Sequence, residues 1–230
     1  YVKEARAQGL TIAEVGIWRN TLDPDEDARK KAVQFAVGQL ELADMIGARC
    51  CVNIIGARGA RWDGAYKDNY SKETWELGVR TIREIIDAVQ PRNTYFTIEP
   101  MPWMIPTGPD EYLHLLEAVA RDRFAVHMDV FNWMTTPQRY FYNEDFIEEC
   151  FEKLGKQVKS CHLKDVRMET EYTVYFRETY MGNGAVNIRH LIETAAAYDR
   201  DMPFIIEHLN TDEEYLNSIR YVKNEIMKPI

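Results

Sequence analysis

The chain has 230 residues, 46% of them hydrophobic, and a formal net charge of −9. That is enough apolar material for one substantial core and excludes a disordered chain, while the acidic balance argues against a nucleic-acid partner held by phosphate neutralisation. The four cysteines form no CxxC pair, as expected of a reduced, cytoplasmic protein, and no apolar run approaches a membrane span.

Tyr1 to Leu10 reads as the tail of a helix stopped at Gly9. Thr11 to Ile17 is apolar and β-branched, as a strand requires, and a turn follows around Asp23-Pro24-Asp25. Asp25 or Asp27 then caps a helix to about Gly47, its apolar residues Ala32, Val33, Phe35, Ala36, Leu40, Ala43 and Met45 falling at helical spacing. Cys50 to Ile55 is a strand, Gly56 to Trp62 a glycine-rich loop, and Ser71 opens a helix that ends before Pro91. Thr94 to Glu99 is the next strand, and Pro109 starts a helix to about Arg121. Phe124 to Asp129 is a strand, Asn143 to Leu154 a helix stopped by Gly155, and Val158 to Leu163 a strand. Residues 166 to 186 leave room for a short seventh strand; Asn187 to Tyr198 is a helix, Phe204 to Glu207 a strand, and Asp212 to Met227 the last helix.

Near-continuous apolar strands alternating with helices indicate a parallel sheet covered by helices, and no linker or composition break divides residues 1–230, so one domain is expected. No G-x-G-x-x-G turn follows the first strand, which disfavours a dinucleotide fold. Ionisable residues instead gather at the C-terminal ends of several strands, which is where a barrel builds its active site. The expected fold is therefore a (β/α)8 TIM barrel that lacks its first strand in this chain.

Four strands end in metal-competent side chains: Glu99, Asp129, His162 and Glu207. An ionisable group at the tip of an apolar strand is costly unless something there uses its charge. Period-2 alternation puts each on one face with the residue two before it, Thr97, His127, Ser160 and Ile205. Three carboxylates and one imidazole suit Mn²⁺, Mg²⁺ or Co²⁺ better than a structural zinc. Such an ion, holding a hydroxy-ketone through two oxygens, stabilises the enediolate formed when a neighbouring C–H loses its proton. Glu99 and Glu207 can then act as base and acid, returning the proton to the opposite face (epimerisation) or to the next carbon (isomerisation). His127, one layer deeper on the same face, is a substrate contact or a core histidine; Lys164, inward like His162, meets substrate or neutralises Asp165. Trp18, Trp62, Trp103 and Trp133 follow strands and offer platforms for a sugar or an aromatic aglycone. Exposed aromatics also make a homo- or hetero-oligomer an expectation.

Ile98-Glu99-Pro100, His127-Met128-Asp129, Cys161-His162-Leu163-Lys164-Asp165, Gly182-Asn183-Gly184 with Asn187, and Ile206-Glu207 resemble the xylose-isomerase-like barrel superfamily of sugar phosphate isomerases and epimerases. The resemblance implies Glu99, Asp129, His162 and Glu207 as ligands of a divalent metal, Mn²⁺ first, with a small-molecule carbohydrate as substrate. Ketose 3-epimerases of this group carry a His where this chain has Asn132, and an Arg that Arg167 matches only approximately as a substrate contact. Glu99-Pro100-Met101-Pro102-Trp103-Met104 with Arg139-Tyr140 and Arg177-Glu178 is similar to catalytic subunits of C-glycoside deglycosidases, which implies a lyase on 3-oxo-glycosides as the alternative, with Trp103 near the substrate. A non-catalytic barrel subunit is the further alternative.

Overall fold

The computed structural model describes residues 2–226. In chain order the elements are α1 (Val2–Ala7), β1 (Glu14–Gly16), α2 (Glu26–Ile46), β2 (Cys50–Ile54), α3 (Lys72–Val89), β3 (Tyr95–Glu99), α4 (Pro109–Val119), β4 (Phe124–Met128), α5 (Pro137–Phe141), α6 (Asn143–Leu154), β5 (Val158–Leu163), β6 (Asp165–Met168), β7 (Phe176–Thr179), α7 (Ile188–Tyr198), β8 (Phe204–Ile206) and α8 (Asp212–Tyr221). These fall into two compact units, Tyr1–Met128 with Gln157–Ser160 and Asp129–Lys156 with Cys161–Ile230.

In the first unit β1, β2, β3 and β4 pair in succession, all parallel. Every residue of β2 and β4 is buried, because a parallel strand is covered on both faces and can be apolar throughout. The helices begin and end where the sequence says. Asp25 accepts hydrogen bonds from the N–H groups of Asp27 and Ala28 at the start of α2, and Gly47 ends it with φ 69°, a conformation that costs glycine nothing. Ser71 accepts from Thr74 N–H at the start of α3, whose face of Val79, Ile82, Ile85 and Ile86 is buried. The sheet of this unit curls strongly. Three strand spacings of about 4.8 Å separate β1 from β4 in a flat sheet, yet Glu14 Oε2 lies 3.4 Å from His127 Nδ1. Likewise Cys50 Sγ on β2 lies 3.2 Å from Ser160 Oγ on β5.

In the second unit the C-terminal half of β5 pairs in parallel with β8, Cys161 opposite Phe204 and Leu163 opposite Ile206. Phe146, Ile147, Cys150, Phe151 and Leu154 form the buried face of α6. The segment expected to supply a seventh strand instead forms β6 and β7, an antiparallel hairpin that makes its own two-stranded sheet. Its tip is polar and exposed, with Tyr172 fully in solvent, so it has no apolar face to offer a parallel sheet. The short helix α5 was not anticipated; Pro137 at its first turn and Thr136 accepting from Arg139 N–H explain it. α8 is closed at its start by a reciprocal capping box between Thr211 and Glu214. The ends of the expected first and last helices, Tyr1 and Met227, lie outside the described residues. Among the described residues no helix is long and apolar enough to cross a membrane.

Candidate metal centre

Three of the four expected ligands are brought together in the second unit. Asp129 follows β4, His162 lies in β5 and Glu207 follows β8; each offers a ligand atom within 4.8 Å of the others. His162 Nδ1 is 3.1 Å from Glu207 Oε2 and 3.7 Å from Asp129 Oδ2. Asp129 is fixed by its other oxygen, because Oδ1 accepts the N–H groups of Phe131 and Asn132, both at 3.0 Å. Oδ2 is thereby aimed into the cluster. Glu99, the fourth expected ligand, is buried at the C-terminal end of β3 in the first unit.

Lys164 occupies the centre. Its ammonium is 2.6 Å from Glu207 Oε1, 2.8 Å from Asp129 Oδ2 and 3.0 Å from Glu178 Oε1, and its side chain is fully buried. The expectation that it neutralises Asp165 is corrected. Asp165 accepts four backbone N–H groups instead, from Val166, Gly182, Gly184 and Val186. The loop after β7 wraps this carboxylate so closely that a side chain on Gly184 would collide with it. Burial pushes the Asp165 carboxyl above the usual range despite these donors.

Charge in the cluster is strongly biased. Burial alone would raise the Asp129 carboxyl, but Lys164 and His162 outweigh it and hold the group far below the ordinary carboxylate range. Glu207 is lowered for the same reasons, burial being overcome by His162 and Lys164. The three carboxylates outnumber the one ammonium, and oxygen-rich sites of this kind take up divalent cations.

Two members were missed in the sequence. Glu178 lies on the hairpin strand β7, and His208 Nδ1 is 3.0 Å from its Oε2; that contact raises the His208 pKa above its ordinary value. Strict alternation sends His208 away from Glu207, but its φ of 57° breaks the strand and turns the ring back, with Nε2 3.5 Å from Glu207 Oε2. A non-glycine residue with positive φ is uncommon.

Other expected contacts are engaged elsewhere. Trp103 donates its ring N–H to the Asp63 carbonyl at 2.6 Å, the exposed Arg167 donates to Glu169, and the His127 ring contacts Ser160 and Glu14. The ring of Trp133 is buried.

A family described as xylose isomerase-like TIM barrel matches residues 1–225. No curated protein matches the sequence significantly. Solved structures of similar fold include a xylose isomerase-like TIM barrel protein from Mycobacterium smegmatis in complex with magnesium. It has a TM-score of 0.71 and 17% identity, over 96% of this chain and 74% of that one. The probable 3-DHS dehydratase of Bacillus anthracis gives 0.73 and 15%, over 97% and 80%. D-psicose 3-epimerase from Clostridium cellulolyticum, solved with D-tagatose, gives 0.65 and 17%, over 99% and 74%. Identities this low show the fold alone, and the fold they show is the barrel expected from the strand pattern.

Proposed function

This chain belongs to the xylose isomerase-like TIM barrel family, and from that premise we propose that it is a divalent-metal-dependent sugar isomerase or epimerase. The observation that carries the proposal is the convergence of Asp129, His162 and Glu207, with Asp129 Oδ2 aimed inward by the backbone donors on Oδ1. These residues fit a hard or borderline divalent ion, Mn²⁺ above all, because their donors are oxygen-rich with a single imidazole. Glu99 at the tip of β3 is assigned as the fourth ligand on its sequence pattern. When bound, such an ion supplies electrostatic stabilisation of the charge that develops on a substrate carbonyl oxygen.

The chain's own residues do the rest. Glu207, kept as a carboxylate by His162 and Lys164, accepts the proton from the carbon next to the carbonyl. Glu99 returns a proton, to the opposite face for an epimer or to the neighbouring carbon for an isomer. Lys164 holds Glu207 in place through the 2.6 Å contact. Epimerase and dehydratase relatives of similar fold support a substrate with an acidic C–H beside a carbonyl.

The test is metal analysis of the purified protein followed by incubation with ketoses in heavy water. Mn²⁺ or a similar ion is expected to bind, solvent deuterium is expected to enter the ketose, and Glu207→Gln is expected to abolish exchange. A protein that binds no divalent ion, or a Glu207→Gln variant with unchanged metal content and turnover, overturns the proposal. Release of free aglycone from a 3-oxo-C-glucoside, without exchange into any ketose, replaces it with the lyase.

A further inference from the structure

The first unit holds a second gathering of metal-competent side chains. Glu14 of β1, Cys50 of β2 and His127 of β4 each place a ligand atom within 4.8 Å of the other two. Glu14 and Cys50 are register partners on adjacent parallel strands, so their side chains share a face. Ser160 of β5 lies between the other two donors, its Oγ 3.2 Å from Cys50 Sγ and 2.6 Å from His127 Nδ1. Cys50, His127 and Ser160 are fully buried, while the Glu14 side chain is 19% exposed and marks the side from which an ion can enter.

A nucleophilic triad is excluded by the ring geometry. Ser160 and Glu14 both address Nδ1 of His127, at 2.6 and 3.4 Å, whereas a triad places the acid and the hydroxyl on opposite ring nitrogens. Cys50 is no activated nucleophile either, because burial pushes its thiol up to about 11.

We propose that Glu14, Cys50 and His127 form a metal site for a borderline-soft ion such as Zn²⁺, with Ser160 as its neutral fourth donor. One thiolate, one imidazole and one carboxylate are the donor types that zinc selects. A tetrahedral zinc holds such donors about 3.3–3.6 Å apart, and the three ligand atoms already lie within 4.8 Å of one another. The charges close as well, since a carboxylate and a thiolate neutralise a divalent ion in a buried position. Without a cation, a carboxylate, an imidazole, a thiol and a hydroxyl in one core layer cost more than apolar side chains of similar size. The ion would tie β1, β2 and β4 together and so hold the curl of this unit.

Cobalt distinguishes this site from the Asp129, His162 and Glu207 cluster, which contains no sulphur. Reduced, metal-free protein titrated with Co²⁺ is expected to develop a near-ultraviolet sulphur-to-cobalt charge-transfer band. Cys50→Ala removes the band, while Cys51→Ala and Glu207→Gln leave it in place. Zn²⁺ is expected to displace the cobalt and erase the band. Loss of an outer-shell partner already costs about tenfold in metal affinity, so Glu14→Gln weakens Co²⁺ binding at this site by at least that factor. No charge-transfer band in the unmodified protein, or a band that survives Cys50→Ala, overturns the proposal. Should Cys50→Ala not fold, Glu14→Gln decides, and unchanged Co²⁺ affinity overturns it.

Discussion

Replacing Lys164 by methionine tests whether the strand-tip cluster is built around a cation. The substitution keeps the length of the side chain and removes a charge held 2.6 Å from Glu207 and 2.8 Å from Asp129. Each such pair is worth about 6 kcal/mol of Coulomb energy at an effective dielectric constant near 20, and desolvation offsets much of it. Glu178, whose side chain is 40% exposed, adds little because water screens it. Removing one partner of a buried pair costs about 3–5 kcal/mol. At roughly 2–4 °C per kcal/mol for a protein of this size, metal-free Lys164→Met is expected to melt about 6–20 °C below the parent. Thermal unfolding followed by circular dichroism, in chelator and again in Mn²⁺, reads both halves of the argument. A divalent ion restores positive charge among the same carboxylates, so the variant is expected to gain more from Mn²⁺ than the parent and the deficit to shrink by the difference; a form at a hundred times its own dissociation constant gains about 2.7 kcal/mol. A loss below about 1 kcal/mol in chelator, or a Mn²⁺ response in the parent that the variant lacks, refutes the reasoning.

Asp165→Ala strips the acceptors from four backbone N–H groups. Unsatisfied buried donors cost about 1–3 kcal/mol each and do not add fully, so several kcal/mol are expected in urea unfolding, with faster amide exchange over Gly182 to Val186. Asp25→Ala removes the N-cap of α2 and is expected to cost about 1 kcal/mol in the same assay, without changing metal content. The Cys50 thiol is raised to about 11 in the fold, so its contribution to metal-free stability is present below the unfolded pKa and lost as pH rises towards the folded one. Between about pH 9 and 11 the protein is therefore expected to weaken by about 2.7 kcal/mol; Cys50→Ala, compared by urea unfolding at both ends of that window, removes this part of the slope.

Much of the strand-tip set was legible because burial and charge conflict at those positions. An apolar run that ends in Glu, Asp or His announces itself, and alternation then tells which neighbour shares its face. Asp129, His162 and Glu207 were found this way. Glu178 was not, because it lies inside β7, whose pattern Phe176-Arg177-Glu178-Thr179 has no apolar run ending in a charge. His208 was excluded by the same alternation rule that found Glu207, and only the positive φ that ends β8 restores it. Lys164 was placed on the correct face but given the wrong partner, since sequence proximity suggests Asp165, whereas that carboxylate is consumed by the loop around Gly182 and Gly184. Glu14 was not singled out, because it lies in the middle of the expected strand Thr11 to Ile17 rather than at its end.

The positions of His127 and Ser160 carry the argument one step further. Each lies two residues before a member of the strand-tip set, His127 before Asp129 and Ser160 before His162. Along a strand, that spacing puts a residue on the same face about 6–7 Å towards the strand's start. A barrel interior is filled in such layers, and the layer below the mouth is ordinarily occupied by branched apolar side chains. In the first unit one layer carries an imidazole on β4 and a hydroxyl on β5, with a carboxylate and a thiol on β1 and β2. A buried layer of this kind is costly unless a cation is held there. Removing the charge of one layer should therefore leave the metal of the other in place, which is why Glu207→Gln and Cys50→Ala separate the two assignments.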